Sequence, residues 1–425
     1  MTPAELVAQR WFRSKQRPIA AVTEIDRAPL ADDAALAVLE VAYLDGGEPD
    51  RYLLPRVGDR EPADGDGAWR AIARAMADGA VLEGRSGRFV ASSTAALGDL
   101  LGGPIDRLAE RRLRVEQSNT SVVLSDQLLL KLYRLLEPGE NPDLEVSAFL
   151  NDAGFTDTPA VAGALVHESK GRTSVAAMLQ AFVPSTGDAW AAMLDALGAD
   201  LARATRIAAE VGDLTARMHR ALASRPGSAA FPARSATPEE TADWRASGER
   251  QLAQAVTAVS GEAHARLVTL APRITARFAD NFGSAGGEAA VSRIHGDYHL
   301  GQLLARHDGG FSVIDFEGEP ARPLAERREP SSPLRDVAGI LRSLDYAART
   351  AMAGRHAEGF DVERWLAGAR AAFLDGYGGI GPDRQGLLDA FELEKACYEV
   401  RYEANNRPGW LWLPLAAVER LARST

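Results

Sequence analysis

Apolar and polar positions alternate with a period of two at residues 35–44 and 51–57, which predicts paired strands around the turn Asp45-Gly46-Gly47, with a further segment at 19–25 before them. A short helix carrying Trp11 and Phe12 is expected before them. Residues 48–50 and 58–67 are polar and rich in Gly and Asp, as loops are. A helical period over 69–76 and a strand pattern over 88–91 complete a small α+β unit.

From about residue 110 the pattern becomes strand-rich. A strand at 113–115, a polar turn at 116–121, a returning strand at 122–124 and a third strand at 128–133 are expected. Asn141-Pro142-Asp143 then signals a helix start, with the helix over 144–151 and Pro142 near its first turn. Strands follow near 160–166 and 174–181. Beyond Pro184 the periodicity changes to 3.6 residues: Leu194, Leu197, Leu201, Ile207, Val211, Leu214 and Met218 line one face of 191–222. Helices are also expected at 239–259, 261–282, 337–351, 362–377 and 384–405, with a loop at 283–287. The implied organisation is a cap subdomain at 1–109, a β-rich N-lobe with one helix at 110–183, and a helical C-lobe at 184–425.

A chain of 425 residues exceeds one compact core, and 46% apolar with 25% charged residues is an ordinary globular composition. The net charge of −11 argues against a nucleic-acid partner, whose phosphates demand basic surfaces. The single cysteine, Cys397, excludes an intramolecular disulfide and makes a cysteine zinc site implausible; its neighbours place it in a buried helix. The first fifteen residues have no apolar targeting core, and no run of about eighteen apolar residues occurs. A cytoplasmic chain without a membrane partner, a monomer or weak homodimer, is expected.

The chemistry concentrates at His295-Gly296-Asp297-Tyr298-His299-Leu300-Gly301-Gln302, followed after a turn by Val313-Ile314-Asp315-Phe316-Glu317. Phosphoryl transfer from ATP calls for a base, an amide metal ligand five residues on, and a second Asp on the next hairpin. Asp297 would take the proton of an attacking hydroxyl, and Gln302 with Asp315 would hold Mg²⁺ against the triphosphate. His295 is better placed to brace the loop than to react, and His299 could reach the acceptor. Glu317, two residues past Asp315, would support the metal shell or meet the acceptor. Glu319, Arg322, Arg327, Arg328 and Arg335 follow, a density of charge that ordinarily forms solvated ion pairs. Asp336 is expected as an N-cap or loop brace.

Lys131, mid-strand, is either a solvent-facing lysine or the cation for the ATP phosphates, paired with Glu145 one turn into the next helix or, less suitably, with Glu140. The turn with Ser118 and Thr120 lacks phosphate-loop glycines, yet its hydroxyls and N–H groups could cap phosphates. Gln180, Phe182 and Val183 end a strand where adenine would pair with backbone. Near the C-terminus, Tyr398 with Tyr402 and Glu399 with Glu403 stand four apart, an aromatic ridge beside an acidic one. With Asn406, Trp410 and Trp412, and Pro408-Gly409 ending the helix, they suit either a packed terminal helix or a sugar pocket.

At these residues the chain resembles the maltokinase-like branch of the aminoglycoside phosphotransferase and choline kinase superfamily. The resemblance rests on Asn141-Pro142-Asp143-Leu144-Glu145, His295-Gly296-Asp297, Asp315 to Pro320, Pro333 to Gly339, and Tyr402-Glu403 with Asn406-Arg407-Pro408. It implies an α+β, bilobal, eukaryotic-protein-kinase-like fold with an N-terminal cap and a mainly helical C-lobe. It also implies an ATP- and Mg²⁺-dependent sugar kinase with Asp297 as base, Gln302 and Asp315 on metal, and Lys131 on phosphate. Family members phosphorylate maltose at C1 or glucosamine at O6. Two departures bear on the acceptor: residues 11–17 lack the paired glycines usual in maltokinases, and Trp412 adds an indole that would shorten a pocket. With Glu399 and Glu403 nearby to meet an ammonium group, glucosamine is expected over maltose. A polycationic aminoglycoside acceptor is less suited, since it calls for a wider acidic cleft. A non-catalytic kinase-fold binding protein is the alternative of another class; Asp297→Asn with full turnover would overturn the base.

Overall fold

The structure, a computed structural model, describes residues 1–113, 118–285, 289–320, 322–353 and 361–423. It divides into two compact units, one of residues 1–152 with 158–184, the other of 153–157 with 185–425.

The first unit holds two antiparallel sheets. Ile19–Ala31, Ala34–Tyr43 and Asp50–Val57 form a three-stranded meander. The first strand runs on to Ala31, past the expected end at residue 25, with register shifts at residues 24/26 and 29/31 that absorb Pro29. A seven-stranded sheet orders Val81–Glu83, Arg88–Ser93, Val161–Ser169, Arg172–Ala181, Leu128–Tyr133, Asn119–Leu124 and Glu110–Arg112 side by side. Residues on both sides of position 109 thus share one sheet. The amphipathic helix Ala68–Ala77 buries Trp69, Ile72 and Met76 in the same core as Leu124, Leu130 and Leu165. Trp11 and Phe12 do not belong to the first helix, which covers only Pro3–Val7. They follow it and pack on Tyr52. The strand expected at 113–115 lies at Glu110–Arg112, and residues 114–117 fall outside the described residues. The polar turn is shorter than expected because Asn119–Leu124 is already a strand, buried along its length.

The second unit is helical around a small three-stranded sheet of Ser185–Asp188, Leu303–Arg306 and Phe311–Val313. The long period over 191–222 is two helices, Ala189–Ala199 and Leu201–Leu222, because Asp200 caps the second with hydrogen bonds from Ala202 N and Arg203 N. Leu201–Leu222 crosses Val362–Tyr377 where neither helix has a side chain. A Cβ at Gly212 would stand 2.1 Å from Phe373 O, and one at Gly376 2.3 Å from Ala209 O. Pro238–Ala258, Gly261–Gly283, Leu334–Ala353 and Pro382–Asn406 match the expected helices within a few residues. The loop expected at 283–287 lies partly outside the described residues, at 286 and 287. After Pro408–Trp410, a single 3₁₀ turn, the chain forms one more helix, Trp412–Arg423, that the sequence pattern did not suggest. Among the described residues no helix is long and apolar enough to cross a membrane. The α+β class with a sheet-rich N-terminal cap and a helical C-terminal region holds.

Candidate active site

The chain reaches Asp297 from a short strand, Ala290–Val291, that pairs with Arg234–Ser235. Two successive backbone donors at the turn, the first on a buried residue, then take their partner from a side chain. Asp336, in the first turn of Leu334–Ala353, supplies them. His295 N donates to its Oδ2 at 2.8 Å and Gly296 N to its Oδ1 at 3.0 Å. His219 Nε2 lies 3.1 Å from the same Oδ2, and its Nδ1 meets the Tyr377 hydroxyl at 3.0 Å. Burial pushes the Asp336 carboxyl up, but His219 and these N–H groups outweigh it and hold it below the usual carboxylate range. Asp336 is therefore a loop brace, with its carboxylate spent on the turn at His295 and Gly296. Gly339, one turn on, lets Tyr298 approach: a Cβ there would sit 2.3 Å from Tyr298 O. His295 is buried and its Nε2 meets Ile314 O at 3.0 Å, which ties the turn to the strand end that precedes Asp315.

The hairpin Leu303–Arg306 to Phe311–Val313 closes the other side. Ile314 N donates to Gln302 O at 3.0 Å, and Gln302 Nε2 to Asp315 Oδ2 at 3.3 Å, so the two expected metal ligands stand together. Asp315 has a φ of 68°, a left-handed conformation that Asp, like Asn, adopts more readily than most side chains. Carboxylate and amide oxygens form the hard donor set that suits Mg²⁺. Glu317 is buried two residues further on, its carbonyl accepting from Arg327 Nη1 at 3.3 Å.

Asp297 is half-buried, and its Oδ1 lies 3.6 Å from Lys395 Nζ. Burial alone would lower the Lys395 pKa, yet Asp297 and Glu319 raise it, so the ammonium stays charged. That ammonium also sits 4.9 Å over the Tyr398 ring. Burial, with the nearby Glu319, pushes the Tyr398 phenol up to about 12. Burial lowers the His299 pKa, and its Nδ1 accepts from Gly301 N at 3.0 Å, which leaves the neutral ring one proton to donate from Nε2. Lys395 and Tyr398 line a cavity of about 590 Å³ together with Gly296, Tyr298, Gly318 and Glu319. The pattern of the C-terminal helix singled out Tyr398 but missed Lys395. A signal was present: four of the 48 basic residues are lysines, and two of those four are Lys131 and Lys395.

The rest of the C-terminal ridge departs from expectation. Glu399 Oε2 accepts two bonds from Arg342, at 2.9 Å from Nε and 2.8 Å from Nη2. Both Glu403 oxygens are held by Arg407, at 2.6 and 3.0 Å, and Tyr346 adds a hydroxyl at 3.3 Å. Carboxylates removed from water need such partners, and each member of the acidic ridge is paired with an arginine; burial nevertheless outweighs Arg342 at Glu399 and pushes its carboxyl up. Asn406 Nδ2 turns back to Tyr402 O at 2.9 Å. Tyr402 and Trp412 are 42% and 44% exposed, and neither they nor Glu399, Glu403, Asn406 and Trp410 are among the residues lining the cavity. The indole of Trp412 is thus not part of that cavity's wall.

In the first unit Lys131 is buried in its strand and pairs with Asp143 Oδ2 at 2.7 Å. Asp143 is thus a partner, two residues before the Glu145 that spacing suggested, and both lie in the first turn of Pro142–Asp152. Asn141 Oδ1 accepts from Asp143 N at 2.9 Å, which starts the helix two residues early and turns Asp143 towards the strand, where the Tyr133 hydroxyl also reaches it at 2.9 Å. Thr120 sits inside a strand, and its hydroxyl accepts from Arg134 Nε at 2.8 Å. That bond takes it out of the turn expected to cap phosphates, leaving Ser118 at the bend. Gln180 is buried near the end of Arg172–Ala181, and Phe182 N donates to Gln127 O at 2.9 Å. Val183 follows, half-buried.

A braced His-Gly-Asp turn, a Gln–Asp pair on the following hairpin and a paired strand lysine are the parts of a phosphotransferase. Residues 110–371 match the phosphotransferase enzyme family, so the chain belongs to that family, and residues 6–86 match the maltokinase N-terminal cap domain. Within the family it is similar to a glucosamine kinase of Streptacidiphilus jiangxiensis, 30% identical, the match covering 91% of this chain and 90% of that one. A glucosamine kinase of Mycolicibacterium smegmatis is 26% identical over 90% of this chain and 98% of its own. A solved glucosamine kinase in complex with glucosamine, ADP and inorganic phosphate superposes with a TM-score of 0.73 at 27% identity, covering 99% of both chains.

Proposed function

We propose that the chain is an ATP-dependent glucosamine kinase that makes glucosamine 6-phosphate. The observation that carries this reading is Asp297, set by the Asp336 brace beside the cavity that Lys395 and Tyr398 line. The likeness to glucosamine kinases over nearly the whole chain supports the choice of acceptor. The acceptor hydroxyl attacks the γ-phosphorus, its proton passes to Asp297, and the bond from phosphorus to the ADP oxygen breaks. Lys395 holds Asp297 in position through charge, and Lys131, kept in place by Asp143, is the cation for the nucleotide phosphates. Ser118 and the strand end at Gln180, Phe182 and Val183 remain the nucleotide-side candidates, and His299 and Glu317 the acceptor-side ones. Gln302 and Asp315 would hold Mg²⁺, which supplies charge neutralisation on the phosphates when bound. An ATP-consuming reaction on a free sugar fits a cytoplasmic enzyme.

The test is ATP consumption with Mg²⁺ across glucosamine, glucose and maltose, with phosphorus–carbon coupling in the product to identify the phosphorylated carbon. Turnover of glucosamine at O6 is expected. Turnover of maltose alone, at the anomeric carbon, would replace this reading with that of a maltokinase, to which the cap-domain match also points.

A further inference from the structure

His299 stands two residues past Asp297, where the chain enters the single 3₁₀ turn Leu300–Gln302. Its Nδ1 accepts from Gly301 N at 3.0 Å, and a ring nitrogen that accepts carries no proton, so the imidazole proton sits on Nε2. Gly301 fixes the ring further by what it lacks. A Cβ there would stand 2.9 Å from His299 Cε1 and 3.0 Å from its Nδ1, so any side chain would push the imidazole aside. The backbone of Gly301 is not in the left-handed region, and its missing side chain therefore answers to the ring rather than to a turn.

The result is a half-buried imidazole of set orientation whose Nε2–H has no hydrogen-bond partner among the described residues. The charges acting on that ring are those of Asp297, Lys395, His295 and Asp315, which include the base, the cation beside it and a residue expected on the metal. An N–H at this place has three groups to meet. Asp297 is not one of them, since it faces Lys395 and no bond joins it to His299 among the described residues. A bond to the attacking hydroxyl oxygen would tie up the lone pair that must reach phosphorus. The oxygens of the phosphoryl group carry charge throughout the transfer, and they gain most from a donor already in place when the reaction begins.

Resting on the reading of the chain as an ATP-dependent sugar kinase, we propose that His299 is a catalytic residue whose Nε2–H donates to an oxygen of the γ-phosphoryl group in transit, and that Gly301 is the positioning residue that sets the ring for it. The acceptor hydroxyl still gives its proton to Asp297, and the bond from phosphorus to the ADP oxygen still breaks. His299 keeps its own proton from start to finish. It thus acts on the group between nucleotide and sugar rather than on the sugar.

The experiment uses the full-length protein with Mg²⁺ and compares wild type with His299→Asn, His299→Gln and Gly301→Ala. Asparagine keeps an oxygen to accept from Gly301 N, as in an Asx turn, but ends short of Nε2; glutamine puts an amide N–H₂ where Nε2 stands and gives up that acceptor. A donor to the phosphoryl group predicts that kcat falls about 10²-fold in H299N and by less in H299Q, with KM for glucosamine changed by less than about threefold. A residue that only braced the turn gives the reverse order, and that order would overturn the proposal. Calorimetric titration adds a readout apart from turnover. H299N should weaken a non-hydrolysable ATP analogue by roughly tenfold and leave ADP, which has no γ-phosphoryl group, within about twofold. Equal losses for the two nucleotides would count against the assignment.

G301A should lower kcat in the wild-type background and add no loss to His299→Ala, because its methyl acts only through the ring. The same loss in both backgrounds would overturn the role given to Gly301. Should H299N not fold, G301A carries the same two titrations, and an unchanged affinity for the analogue there would overturn the proposal. Absence of ADP formation with every sugar in the wild type would instead overturn the function on which it rests; the titrations need no acceptor, so the two failures are distinct.

Discussion

Replacing Arg342 with methionine separates a structural from a substrate-binding role for Glu399. Arg342 is 1% exposed and pairs with Glu399 through two bonds at 2.8 and 2.9 Å and with Asp345 at 2.5 Å. In the variant Glu399 loses both bonds, whereas Asp345 keeps Arg349 at 2.8 Å and Arg420 at 3.5 Å. One buried carboxylate is stranded rather than two, so the cost falls at the low end of the range for breaking a buried pair, about 3 kcal/mol. For a unit of this size each kcal/mol moves Tm by about 2–4 °C, so the unfolding transition of the second unit should drop by about 6–12 °C. Scanning calorimetry reads it directly. The double variant Arg342→Met with Glu399→Leu removes both charges and should recover most of the loss, because an apolar pair needs no compensation. A drop under 2 °C in the single variant, or no recovery in the double, would refute the argument that the pair is buried and mutually satisfied. Loss of glucosamine turnover in Glu399→Gln at an unchanged Tm would show instead that Glu399 meets substrate.

Asp297→Asn keeps the shape of the base and removes its basicity, so kcat should fall by about 10²–10⁴-fold with KM for ATP little changed; steady-state kinetics checks it. Asp336→Asn turns an amide N–H₂ towards two backbone N–H donors and should cost about 1–3 kcal/mol, with kcat reduced through the loosened turn. Because the folded Asp336 pKa is depressed, its stabilisation is fully present above the unfolded value and is lost as pH falls through the folded one. The Tm gap between wild type and D336N should therefore stay flat from about pH 5 to 8 and close only below about pH 4; a gap that closes on raising the pH would contradict the brace. Trp412→Ala should change Tm and KM for glucosamine by little, within about threefold for KM, since the ring is exposed and off the cavity. A larger rise in KM would return Trp412 to the acceptor site.

Sequence alone carried the parts of the problem that are local. The spacing from Asp297 to Gln302 and on to Asp315 is set by one turn and one hairpin, and the structure joins Gln302 to Asp315 as that spacing requires. The period of two in the first sixty residues and of 3.6 beyond Pro184 gave the α+β class, because a strand or helix buries one face whatever its neighbours are. Even the brace role of His295 followed from its place next to a carboxylate in a tight turn.

Tertiary structure decided everything that depended on who stands across from whom. Glu399 and Glu403 form the same acidic ridge in either reading, and only the structure shows that Arg342, 57 residues away in sequence, and Arg407 on the next turn pair with it. Asp143 meets Lys131 because Asn141 sets where the helix begins, a matter of two residues that periodicity does not resolve. Lys395 reaches Asp297 from a helix 98 residues further on, and Asp336 grips the catalytic turn from 41 residues away. Pattern reports which face of an element is buried; it carries no information on the identity of the charge that meets that face.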